Sequence, residues 1–103
     1  MVSVADLGFD ECPCLHAIYS RAREWGYRLC PAAAGPGLRL QLLDQPEGDW
    51  LYIAMAPLPD REGVPAIFEL DRDFDGPRLR AFIAECHKRF HPHDRFVFAA
   101  RQR

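Results

Sequence analysis

Apolar positions recur at helical spacing near the start of the chain and at strand spacing through its middle. Leu15, Ile18, Tyr19, Ala22 and Trp25 fall three and four residues apart, which is one face of a helix. Pro13 is tolerated in a first helical turn, and Gly26 supplies a left-handed stop. The spacing therefore predicts a helix over residues 13–26. Residues 27–30 read as a short extended segment broken by Pro31. Gly35-Pro36-Gly37 is a turn signal. After it Leu38, Leu40 and Leu42 alternate with Arg39 and Gln41, as in a half-buried strand. A polar turn over residues 44–49 leads to a returning strand at 50–56. The prolines and glycine of residues 57–64 mark a loop, and Ala66, Phe68 and Leu70 alternate with Ile67 and Glu69 as a third strand.

Asp75-Gly76-Pro77 carries helix-start chemistry. Leu79, Phe82, Ile83, Cys86 and Phe90 continue from it as one apolar stripe, which predicts a second helix over residues 77–90. Phe96 and Phe98 mark a last strand at 95–100, followed by a basic tail, 101–103. Residues 1–10 read as an N-terminal arm. The order α-β-β-β-α-β predicts one α+β domain over residues 1–103, an antiparallel four-stranded sheet with two helices on one face. Arg39, Gln41 and Glu69 suit the other, wet face. The strand at 50–56 does not. Trp50, Tyr52, Ala54 and Ala56 alternate with Leu51, Ile53 and Met55, so it is apolar on both sides. Such a strand is covered on both faces, by the 57–64 loop or by another chain.

Composition supports a packed core. The chain has 103 residues, 49% hydrophobic and 12% aromatic, which excludes collagen-like, coiled-coil and disordered classes. No apolar run reaches the roughly 18 residues of a membrane span. The first ten residues lack a basic start and a long apolar stretch, so the expected location is cytoplasmic, with no membrane partner. The net charge of −2 hides a split. Residues 1–75 carry six basic and thirteen acidic side chains, and residues 76–103 carry seven basic and two acidic ones. A basic end on an acidic body is one way to contact an anionic partner. Lys88, Arg89, Arg95, Arg101 and Arg103 are the phosphate contacts in a nucleic-acid reading.

Candidate chemistry is sparse. Cys12, Cys14, His16 and Cys30 form one potential zinc set, and Cys86, His87, His91 and His93 another. Zinc takes four such ligands in a tetrahedron, but no Cys-x-x-Cys pair occurs, and the expected state is cofactor-free. Asp71-Arg72-Asp73-Phe74-Asp75-Gly76 resembles the opening of an EF-hand loop. Its eighth and twelfth positions, Arg78 and Phe82, lack the ligand that closes that loop. Ser3 and Ser20 lie in no nucleophile motif, and no glycine-rich phosphate loop is present.

The α-β-β-β-α order resembles that of double-stranded RNA-binding domains. The position of their lysine cluster is here the acidic segment from Asp71 to Asp75, so no RNA contact carries over. The same order, over about residues 13–90, is similar to the small acidic chaperones of type III secretion. That resemblance implies a dimer that binds other proteins on its sheet. The leading expectation is a non-enzymatic protein-interaction module acting through a sheet face, self-associating as a homodimer or binding another protein. Trp50, Tyr52 and Met55 are its contact residues.

Overall fold

The computed structural model describes residues 1–85 and 87–99. After β1 (Val2–Ser3) and a short 3-10 turn (Ala5–Leu7) come two helices, α1 (Leu15–Glu24) and α2 (Ala34–Gln41). Five strands follow: β2 (Trp50–Ile53), β3 (Leu58–Pro59), β4 (Pro65–Asp73), β5 (Gly76–Ile83) and β6 (Arg95–Val97). They form a six-stranded mixed sheet. β2 pairs antiparallel with β4 and parallel with β6, and β1 runs antiparallel along β6. β5 pairs with β4 from Asp73↔Gly76 to Ala66↔Ile83, and the short β3 lies beside the start of β4. No helix among the described residues is long and apolar enough to cross a membrane.

The sheet corrects the expectation of four antiparallel strands, and two segments account for the difference. Residues 34–41 are helical, not a turn followed by a strand. Pro36 falls in the first turn of α2, where its missing N–H has no intrahelical partner to lose. Leu38 and Leu42, two positions apart from Leu40 in a strand pattern, are equally four apart on a helix. Residues 76–83 are strand, not the start of a second long helix. Asp73↔Gly76 closes a tight hairpin in which Gly76 takes φ +124°, a backbone conformation that glycine alone adopts without strain. Asp-Gly serves a hairpin as readily as a helix cap. The α-β-β-β-α order, and with it both topological resemblances, is therefore absent.

The helices lie on opposite faces of the sheet. Neighbouring residues of a strand point to opposite sides. Phe68 meets Gly35 of α2, where an added Cβ would lie 2.7 Å from the ring. The next residue, Glu69, shares its side with Tyr52 and Phe96 through the strand register. Phe96 in turn packs edge-on to Tyr19 of α1, at 6.4 Å. This explains β2, whose Leu51 and Ile53 face α2 while Tyr52 faces an aromatic cluster of Phe82, Phe90 and Phe96. Cover is supplied within the chain. The Tyr19 hydroxyl donates to the Met55 carbonyl at 2.8 Å and accepts from its N–H at 2.9 Å, tying α1 to the end of β2. Residues 1–10 are part of the core: Val2, Val4 and Leu7 are buried, and the Arg21 guanidinium stacks on Phe9 while donating to the Leu7 carbonyl.

Arg39, read from the sequence as a wet-face residue, is buried in α2. Its Nη1 donates to Gln45 Oε1 at 2.8 Å and to the Asp71 and Arg78 carbonyls at 3.0 Å each. Its Nη2 donates to the Leu42 carbonyl at 2.6 Å. Gln45, also buried, passes the link on to the Leu70 carbonyl. The last turn of α2 is thereby fastened to the β4–β5 hairpin.

The close approach of Gly35 to Phe68 gives a direct test. Gly35→Ala should cost about 1–3 kcal/mol through overpacking, measured by urea denaturation. The cost should shrink when Phe68 is also changed to Leu, because the two positions are coupled. Equal losses in both backgrounds would contradict the contact.

Candidate functional site

The β4–β5 hairpin concentrates charge on one face. Alternation puts Glu69, Asp71 and Asp73 on the same side of β4, and the register sets Arg80 opposite Glu69 and Arg78 opposite Asp71. Arg78 Nε lies 2.6 Å from Asp71 Oδ1, and its Nη1 lies 2.9 Å from Asp73 Oδ2. Arg80 approaches the other oxygen of Asp71 at 3.7 Å. These groups line an open cleft of about 430 Å³, walled by Trp50 and Phe74. Trp50 is 45% exposed, and its Nε1 donates to Asp94 Oδ1 at 3.0 Å. The second oxygen of Asp94 accepts the His91 N–H, so the indole is held in place.

Both arginines pair with Asp71 and Asp73, and among the described residues no cation lies within ion-pair distance of Glu69, although the nearby Arg80 and Arg78 partly offset the rise of its carboxyl. Burial pushes its carboxyl up to about 7, with a further rise from its hydrogen bond to Asp71 and from that group's charge. Asp71 moves the other way. Burial would raise it, but the hydrogen bond from Glu69 and the Arg78 guanidinium outweigh that and hold it below the usual carboxylate range. The pair keeps one proton, on Glu69, and can release it near neutrality. Such a carboxyl beside an aromatic wall is the feature of the described surface best suited to proton exchange with a ligand.

The outer side of this hairpin is an open sheet edge. A single Arg39 nitrogen reaches the carbonyls of both Asp71 and Arg78, so these carbonyls point toward each other and the two residues form a hydrogen-bonded pair. The Ala84 N–H donating to the Pro65 carbonyl at 2.9 Å continues the same series. The alternate residues Leu79, Ala81 and Ile83 consequently turn their N–H and C=O groups outward. All three are exposed, and among the described residues β5 pairs with β4 alone.

The sequence-predicted residues scatter. Of the interaction set, Tyr52 and Met55 are buried, at 5% and 1% exposure, and only Trp50 reaches the surface, at the cleft. Of the basic set, Arg101 and Arg103 lie outside the described residues. Lys88 and Arg89 lie in a loop, not a helix, and Arg95 is engaged by Asp49. Cys12 and His16 are exposed near the start of α1, Cys14 precedes its first residue, and the Cys30 thiol donates to the Val97 carbonyl. His87, His91 and His93 are exposed, with the last two rings 4.7 Å apart. Cys86 lies outside the described residues, among which no three His, Cys, Asp or Glu side chains gather to hold a metal ion. The D-x-D-x-D-G run is a hairpin turn whose first two carboxylates are ion-paired. Sequence reasoning missed Glu69, Asp71, Arg78 and Arg80 as a group. Their signal is Asp75-Gly76 between two alternating runs, which sets acids across from arginines once read as a hairpin.

Glu69 binds its proton more tightly in the fold than in the unfolded chain. Its contribution to stability therefore falls as pH rises from about 4.5 to about 7 and stays low above that. Glu69→Gln keeps a donor toward Asp71 without the charge. It should raise the melting temperature at pH 8 and leave it nearly unchanged at pH 4.5. An equal shift at both pH values would show that Glu69 does not hold the proton. The chain matches no protein-family model, no curated protein and no solved structure, so these residues carry the functional reading.

Proposed function

We propose that this chain is a small protein-interaction module that takes up an extended polypeptide segment as an added strand along β5. The single observation that carries the reading is the contrast between the sheet's edges. β1 and β3 are two residues long, and β3 ends in Pro59, whereas β5 offers eight residues. Sheets blunt exposed edges by shortness, proline or outward charge, because unpaired N–H and C=O groups template further pairing. Along β5 the charges are drawn away: Arg78 and Arg80 are held over the cleft by Asp71 and Asp73.

Strand addition supplies main-chain hydrogen bonds for affinity, while alternate side chains set specificity. Here Leu79, Ala81 and Ile83 present an apolar row on one side. Arg80, Trp50 and Phe74 lie on the other, where the cleft can receive a side chain of the incoming segment. Trp50 sits two strands in from this edge, at the back of the cleft, where only a long side chain of the incoming segment reaches it, and Tyr52 and Met55 belong to the core.

Selection of extended peptides from a displayed library against the immobilised protein tests this. Bound peptides should protect the amides of Leu79, Ala81 and Ile83 from hydrogen exchange. Ala81→Pro, which removes an outward N–H, should weaken binding at least tenfold with the far-ultraviolet circular dichroism retained. Peptides that protect other amides instead, or bind the proline variant equally, would overturn the proposal.

A further inference from the structure

We infer that the segment taken up by β5 is β5 of a second copy, running antiparallel with the two-fold axis at Ala81. This rests on the strand-addition reading above and names its occupant. The outward-facing residues are Leu79, Ala81 and Ile83, so an axis at Ala81 makes Ala81 its own partner and sets Leu79 opposite Ile83. All three positions then exchange main-chain hydrogen bonds across the seam. On the cleft side the same register sets Arg80 opposite Phe82 of the second copy, a cation beside an aromatic ring. No two arginines meet.

Neighbouring registers fail on charge or length. An axis at Arg80 puts that residue against itself, and an axis at Leu79 puts Arg78 against Arg80. Like charges directly opposite one another across a strand pair are destabilising. An axis at Phe82 avoids this but shortens the overlap, because β5 ends at Ile83. Ala81 is the centre that gives the longest overlap free of opposed arginines. The axis stands perpendicular to the sheet, so α2 of each copy lies on the same face of a continuous sheet. Isologous contacts of this kind close on themselves as a dimer.

The position of the axis gives a test that general stickiness would not pass. Native mass spectrometry over a dilution series should find twice the 11.8 kDa chain mass. Ala81→Lys and Ala81→Glu each place like charges against each other at the axis and should each be monomeric. Mixed, the two variants should recover a one-to-one heterodimer, which also shows that both are folded. A mixture that stays monomeric, or single variants that stay dimeric, would overturn the register. A native chain that is monomeric at every concentration, while selected peptides still protect Leu79, Ala81 and Ile83, would overturn self-pairing and leave the strand-addition reading standing. A dimer in which those amides exchange freely would overturn self-pairing through β5, and peptides that leave them unprotected as well would overturn the strand-addition reading too.

Discussion

The arrangement of this fold depends on the buried guanidinium of Arg39. Removing a cation from water is costly, and the cost is offset only when its donors are closely met. No carboxylate lies within ion-pair distance among the described residues; the Arg39 donors instead reach the Leu42, Asp71 and Arg78 carbonyls and the Gln45 amide. Those acceptors belong to the end of α2, the segment after it, β4 and β5. One side chain thus fixes a helix terminus to two paired strands. It also dictates where α2 must lie, and so why Gly35 comes against Phe68 with no room for a Cβ.

The same hairpin is charged on its other face, and the two faces are linked. The terminal nitrogens of Arg39 are met by neutral carbonyl oxygens, three of the main chain and one of Gln45, while its buried Nε finds no partner; the carboxylates of Asp71 and Asp73 are left to Arg78 and Arg80. Exposed ion pairs contribute little to stability, but these direct two long cationic side chains over the cleft and away from the strand edge. Glu69, with no ion pair of its own, is held up by burial, and the nearby arginines only partly offset that rise. The result is an edge strand stiffened from below and lacking the outward charge that keeps most edges unpaired.

How far the sequence could be read depends on how many geometries a pattern fits. The stripe from Leu15 to Trp25 fits only a helix, and α1 covers it from Leu15 to Glu24. The alternation at Ala66–Leu70 fits only a strand, and β4 extends it to Asp73. Leu38 and Leu42 fit both periods, as do Leu79 and Ile83; Leu40 tipped the first segment toward a strand and Phe82 the second toward a helix, and each took the other form. The two-sided apolar character of β2 was legible. That its cover comes from α1, α2 and Phe90 of the same chain was not, because it follows from the helices lying on opposite faces.

The sequence by itself determined that this chain forms a packed α+β structure, with a first helix, a doubly apolar strand and an acidic run before a basic one. Those are local properties, set by side-chain period and composition. Only the tertiary structure decided that Asp75-Gly76 folds the acidic run back against Arg78 and Arg80. It also decided that Arg39 turns inward, and that Trp50 alone of the apolar trio reaches the surface. Each of these outcomes is a competition between segments far apart in the chain for burial and for hydrogen bonds, and no local pattern records which segment wins.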